Sequence, residues 1–131
     1  MFFIDSSVWI EYLRPKGSTA VKEKIRELLK VGEVVLCGIV LIEILRGARN
    51  KRDFDKLYDS FFSLPQIPID EEVIKRASRW GYEMDRKGKA VSTTDLIIAS
   101  AAYKKARLLH IDSDFKMIAE VFDLEEEMLA P

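Results

Sequence analysis

Phe2-Phe3-Ile4-Asp5-Ser6-Ser7-Val8-Trp9-Ile10 stands at the head of the chain. Three apolar, β-prone residues are stopped by Asp5-Ser6-Ser7, residue types that cap helices, and apolar positions resume behind them. The pattern predicts a short buried strand over 2–4 and a helix beginning at Ser6 or Ser7. The same alternation recurs downstream. Pro15 and Gly17 break the chain, and Ser18 opens an amphipathic helix carrying Val21, Ile25, Leu28 and Leu29. Gly32 closes that helix before a second buried strand at Val34-Val35-Leu36.

The run from Gly38 to Leu45 is nearly all apolar and leads into Arg46-Gly47, which predicts a helix packed deep in the core. Phe54, Leu57, Tyr58, Phe61 and Phe62 form a further helical stripe ending near Pro65. Asp70 is placed to cap a helix with Val73, Ile74, Ala77, Trp80 and Met84 on one face, ended by Gly88. Thr93 or Thr94 begins a helix of small and apolar residues through Ile97, Ala99, Ala101 and Ala102. Leu108-Leu109-His110-Ile111 is a third strand, and Asp114 is expected to cap a short helix holding Phe115 and Ile118. Strands separated by helices imply a parallel sheet sandwiched between helices, an α/β fold in one domain over 1–131.

The bulk numbers agree with that size of core. The chain has 131 residues, 48% of them hydrophobic and 33% charged, an ordinary globular composition. A formal net charge of -1 excludes a global basic field, so any nucleic-acid binding rests on a local patch. Cys37 stands alone and cannot form an intrachain disulfide. The opening apolar run is too short for a signal peptide or a membrane span, so the expected location is cytoplasmic.

Four carboxylates sit in apolar company. Asp5 and Asp112 each follow a strand, the position where ligands bind in an open parallel sheet. Glu43 and Asp95 lie on the two most apolar helices. Each also has a plain explanation: Asp5, Asp112 and Asp114 as caps or turn residues, Asp95 as a first-turn acid favoured by the helix dipole, Glu43 as the partner of Arg46. Glu43 is the hardest to dismiss, because it interrupts Ile39-Val40-Leu41-Ile42 and Ile44-Leu45 on a helix with no evident wet face. If the fold gathers the four, their mutual repulsion calls for a cation. Hard oxygen donors without a His or Cys cluster select Mg²⁺ or Mn²⁺ over zinc, and such a pocket suits phosphodiester hydrolysis. His110, near the end of an apolar strand, reads as a structural or supporting residue rather than a catalytic base.

These segments resemble the PIN-domain nucleases, and more narrowly the VapC-type toxins of bacterial and archaeal toxin–antitoxin pairs. The matching stretches are Phe3 to Ile10, Ile42-Glu43-Ile44-Leu45-Arg46-Gly47, Thr94 to Ala101, and Leu109-His110-Ile111-Asp112-Ser113-Asp114-Phe115, in the family's order and spread nearly end to end. The resemblance implies a three-layer α/β/α domain around a mainly parallel sheet. It implies a catalytic and metal-binding set of Asp5, Glu43, Asp95 and Asp112, with Asp114 contributing through metal-bound waters. It also implies Mg²⁺ or Mn²⁺ dependence, cleavage of single-stranded RNA, a homodimer, and a small cognate antitoxin whose tail covers the active-site groove. One departure is His110, which stands where relatives often carry Thr or Ser. Hydroxyl support for the acids is then expected from Ser6, Ser92, Thr93 or Ser113.

RNA also needs cations near the site. Arg46, Arg49, Lys51 and Arg52 follow Glu43, while Arg86, Lys87 and Lys89 precede Asp95, so both clusters are candidates for a groove wall. Arg46, one turn beyond Glu43, is the best single candidate. Trp9 and Tyr12 have rings able to stack on bases, although Trp9 fits a core or interface position better. Glu125-Glu126-Glu127 reads as a solvated tail. A haloacid-dehalogenase-like phosphatase would carry a second Asp two residues after the first, where Ser7 stands, and no receiver-domain pattern is evident. The competing readings within the family are an RNA-processing nuclease without a toxin role and a catalytically silent module that binds RNA or a partner.

Overall fold

The computed structural model describes all 131 residues. Strands β1 (Phe2–Ile4), β2 (Val34–Val35), β3 (Arg107–His110) and β4 (Glu126–Met128) form one sheet in the order β2-β1-β3-β4. Every pairing is parallel. Parallel neighbours need crossovers, and helices supply them: α1 (Ser6–Leu13) and α2 (Thr19–Lys30) between β1 and β2, then α3 (Gly38–Arg46), α4 (Lys51–Phe62), α5 (Glu71–Arg86) and α6 (Thr93–Ala102) before β3, and α7 (Ser113–Val121) before β4. The α/β/α expectation holds. From the central pair, β1 connects outward to β2 and β3 outward to β4. The carboxyl ends of β1 and β3 therefore flank the point where the connections diverge, the crevice in which open α/β sheets bind ligands.

Local chemistry accounts for the helix ends. Ser18, Asn50, Asp70 and Ser92 each accept a hydrogen bond from the backbone N–H three residues on, and Gly32 and Gly88 take positive φ just past α2 and α5. A Cβ on Gly81 of α5 would meet the Leu96 side chain at 2.9 Å, so the glycine lets α6, with Asp95 in its first turn, lie close against α5.

Several expectations need correction. Asp112, not Asp114, caps α7: its Oδ1 accepts from the Asp114 N–H at 2.9 Å. Helix α3 is not wholly interior, since Ile42 is 56% exposed, Arg46 is exposed and Glu43 is only half-buried. Its apolar face packs inward through Val40, Leu41 and Ile44, and the remaining apolar residues misled the sequence reading because nothing polar marked the wet side. On α4 only Phe61 is buried; Phe54, Tyr58 and Phe62 form an outward aromatic row. Ile74 likewise faces solvent while Val73, Ala77, Trp80 and Met84 face the core. The strand expected at 108–111 runs over 107–110. The segment read as a solvated tail is β4, an edge strand hydrogen-bonded to β3.

Candidate active site

Asp5 follows β1 directly, and its own N–H donates to the Leu109 carbonyl at 3.0 Å, which fixes it beside the end of β3. Its carboxylate caps α1: Oδ2 accepts from the Ser7 N–H at 3.1 Å and from the Ser7 hydroxyl at 2.6 Å. The Ser7 Oγ in turn accepts from the Ile111 N–H at 3.1 Å, so one serine ties Asp5 to the chain leaving β3. Ser7 was absent from the hydroxyls expected to serve the acids; its place two residues after an N-cap aspartate was the available signal. Ser6 does serve as expected, donating to Glu43 Oε1 at 3.0 Å and linking α1 to α3.

Across the crevice, Asp95 stands in the first turn of α6, behind a Ser92 cap that accepts from the Asp95 N–H at 3.1 Å. Asp95, Asp112 and Asp114 each offer a carboxylate oxygen within 4.8 Å of the others, the spacing of ligands around one cation. Asp5 and Glu43 lie outside that tight triad; Asp5 feels the charge of Asp112, and Glu43 feels that of Asp5. Burial pushes the Asp5 carboxyl up against the pull of the Ser7 hydrogen bonds, and the Asp112 charge adds to the rise. Burial also raises Glu43, opposed by the Ser6 hydrogen bond; the Asp5 charge raises it further, and Arg46 lowers it. Asp95 is pushed up to about 7, by burial first and then by the charges of Asp112, Asp5 and Asp114. Five acids from four separate chain segments thus share one edge of the sheet.

The donor set fits a hard divalent cation. All the converging atoms are carboxylate oxygens; the imidazole is engaged elsewhere, and burial together with the charges of Asp5 and Glu43 pushes the Cys37 thiol up, which disfavours the thiolate a soft metal would need. His110 is fully buried with its Nε2 against Glu126, and Cys37 is buried. Thr93 and Ser113 donate no side-chain hydrogen bond to the acids, whereas Ser6, Ser7 and Ser92 hold three of the segments.

Of the cations expected along the groove, Arg46 and Arg52 are exposed. Arg49 pairs with Asp53 at 3.4 Å, Lys51 with Asp55 at 3.0 Å and Lys89 with Glu120 at 3.9 Å. These are surface pairs, each worth at most about 1 kcal/mol, and a phosphate can displace them. Trp9 is core, 1% exposed and edge-on to Phe61, so it presents no ring to a base. A groove of about 590 Å³ holds none of these five acids; it is lined by Ile10, Leu13, Ala48 and Leu57 together with Arg14, Arg49, Lys56 and Asp53.

Residues 2–121 match the family model described as the PIN domain. The chain belongs to the PIN-domain family. Two relatives, VapC ribonuclease Mb1587 of Mycobacterium bovis and ribonuclease VapC11 of Mycobacterium tuberculosis, are each 35% identical to this PIN domain over 95% of its chain and 96% of theirs. The VapC resemblance read from the four segments therefore stands. A solved structure of VapBC2 from Rickettsia felis, bound to a DNA fragment from its promoter, superposes with a TM-score of 0.79 at 22% identity, covering 98% of both chains. At that identity it shows a shared fold, with the PIN domain's sheet and flanking helices in common. No helix of this PIN domain is long and apolar enough to cross a membrane.

Proposed function

We propose that this PIN domain, a nuclease by family, is a Mg²⁺- or Mn²⁺-dependent endoribonuclease that cuts single-stranded RNA and acts as the toxin of a toxin–antitoxin pair. The observation that carries the reading is the triad of Asp95, Asp112 and Asp114 with Asp5 and Glu43 beside it, in which burial first and then the charges of Asp112, Asp5 and Asp114 raise Asp95 to about 7. Asp5, Glu43, Asp95 and Asp112 are assigned the ligand and catalytic role, and Asp114 the support of the same cation's hydration. A bound Mg²⁺ or Mn²⁺ supplies Lewis-acid polarisation of the phosphodiester and a lowered pKa for the attacking water.

The chain's own residues set the stage for that chemistry. Ser7 fixes Asp5 and Ser6 fixes Glu43 by direct hydrogen bonds, so two of the acids are oriented before any ligand arrives. Arg46, on the exposed face of α3 one turn from Glu43, and Arg52 beyond it are assigned contacts to the RNA backbone; Arg49, Lys51 and Lys89 join them when their surface pairs open. For the antitoxin, whose tail is expected over the acidic site, the separate groove past Ile10, Leu13 and Leu57 offers burial to a further short segment. The exposed row of Phe54, Tyr58 and Phe62 offers an apolar face to a second copy.

Purified protein is expected to cleave a labelled single-stranded RNA with Mg²⁺ or Mn²⁺ and to stop with EDTA. Full activity in Asp5→Asn and Asp95→Asn would refute the assignment. Induced expression is expected to arrest growth and a small protein encoded beside the gene to relieve it; absence of both would leave the nuclease and remove the toxin.

A further inference from the structure

The C-terminal strand reaches the acidic edge through one imidazole. His110, at the end of β3, is fully buried, with its ring 5.1 Å from that of Phe115 on α7. Its Nδ1 lies 3.2 Å from the backbone N–H of Asp112. That N–H can only donate, so Nδ1 accepts and the ring proton sits on Nε2, which donates to Glu126 Oε1 at 2.9 Å. The main chain doubles the link: the Leu129 N–H donates to the His110 carbonyl at 2.8 Å, and Met128 stands opposite His110 in the ladder.

A side-chain acceptor that takes the N–H two residues on makes an Asx- or ST-type turn. A threonine or serine at this position would make it with the hydroxyl oxygen, and its remaining O–H, on a side chain shorter than the imidazole, would fall short of Glu126. The imidazole makes the same turn and spends its second nitrogen on Glu126. Two members of the acidic triad depend on that turn, Asp112 directly and Asp114 through its N–H to Asp112 Oδ1 at 2.9 Å. Neither Glu126 nor β4 falls within residues 2–121, the span matched by the family model.

We propose that Glu126 is a positioning residue of the acidic site: it fixes the His110 imidazole, which holds the 110–112 turn and so the carboxylates of Asp112 and Asp114. His110 and Glu126 ligate nothing themselves, because His110 has both nitrogens engaged and no exposed surface. This inference rests on the metal-dependent reading above.

The test is a Mn²⁺ titration by calorimetry together with cleavage kinetics on a labelled single-stranded RNA, using the full chain. Glu126→Leu and His110→Leu are expected to bind Mn²⁺ at least about 10-fold more weakly and to lose kcat with little change in KM for RNA, the size of effect seen when the groups behind metal ligands are removed. His110→Thr rebuilds the turn with its hydroxyl and is expected to recover most of the Mn²⁺ affinity. In that background Glu126→Leu is expected to do nothing more, the signature of a residue that acts only through another. A purely structural pair would lower the melting temperature and leave Mn²⁺ affinity and kcat untouched, which would overturn the proposal; so would failure of a folded His110→Thr to recover affinity. Should His110→Leu not fold, Glu126→Leu on the edge strand decides alone. Unimpaired binding and cleavage by Asp95→Asn would sink the metal-dependent reading. Loss in Asp95→Asn with a normal Glu126→Leu would sink only the role of Glu126.

Discussion

Two regions of this protein take polar groups out of water, and they treat them in opposite ways. Between α5 and α6, Ser100 is fully buried and wholly partnered: its hydroxyl donates to the Val73 carbonyl at 2.8 Å and accepts from Arg76 Nε at 3.0 Å, while its own carbonyl accepts from the same guanidinium at 2.7 Å. Arg76 lies over the Tyr103 ring, 5.1 Å from its centroid. At the carboxyl edge of β1 and β3, by contrast, five acids share one place, and the one cation whose charge offsets any of the raised carboxyls is Arg46, which acts on Glu43 without an ion pair. The first region follows the rule that buried polar groups are satisfied. The second meets it for hydrogen bonds, through Ser7 on Asp5 and Ser6 on Glu43, but leaves like charges uncompensated, and that imbalance marks where a fold has been shaped for something other than its own stability.

The contrast is sharpest in a pair of substitutions whose effects on activity and stability should run in opposite directions. Asp95→Asn is expected to lower RNA cleavage at least about 100-fold, the scale of losing several kcal/mol of charge stabilisation in the transition state. Single-turnover kinetics at saturating Mn²⁺ checks it. Ser100→Ala, on the same helix as Asp95 but with its hydroxyl bonded only to α5, is expected to leave cleavage unchanged but to destabilise the fold by about 1–3 kcal/mol, since it strips the Val73 carbonyl and Arg76 Nε of a partner in a buried place. Chemical denaturation measures this, and a drop in kcat there would mean the two regions are not separate.

The stability of the metal-free protein carries the next effect. Asp95 titrates near 7 in the fold against an ordinary 3.8, so between those values the folded state holds a proton that the unfolded chain releases. Stability is therefore greatest below about pH 4 as far as this group is concerned, and its contribution falls as pH rises toward 7. Solvent at the half-buried carboxylate screens much of the shift, leaving on the order of 1 kcal/mol. In EDTA, Asp95→Asn is expected to melt above the parent at pH 8 and to lose most of this difference near pH 4. Added Mn²⁺ should reverse the order at pH 8 by stabilising only the parent. A parent melting curve indifferent to Mn²⁺ would mean that the fold binds no cation, and equal stabilisation of Asp95→Asn would place the cation elsewhere.

How much of this was legible in the sequence follows the same division. The alternation of apolar runs with capping residues gave the parallel α/β architecture, and Ser18, Asp70 and Gly88 marked helix ends where they were expected. The acids were legible because they sat among apolar neighbours. What escaped was whatever depends on the partner rather than the residue. Glu126 looks like one of three solvated glutamates until β3 lies beside it, and Ser7 looks like a helix starter until Ile111 donates to it. Glu43 was read as buried because Ile42 and Ile44 flank it, yet Ile42 faces solvent; an apolar residue on a wet face carries no mark in a lone sequence.

The smallest effect concerns how a chain of net charge -1 holds an anionic substrate. Arg46 is exposed, lies one turn from Glu43 and makes no ion pair, whereas Arg49 and Lys51 are already met by Asp53 and Asp55. An unpaired cation releases a counterion when it meets a phosphate; a paired one must first give up its carboxylate, and the two costs largely cancel. Arg46→Ala is therefore expected to weaken single-stranded RNA binding a few-fold and to flatten the plot of log affinity against log salt by about 0.7, with kcat retained. Lys51→Ala should do much less, because Asp55 is left as an extra negative charge but no standing phosphate contact is lost. Fluorescence anisotropy over a salt series, in Ca²⁺ or with Asp95→Asn to prevent cleavage, measures both slopes. Equal slopes for the two variants would mean that surface pairing does not decide which cations the RNA uses, and that the groove is read by its summed field instead.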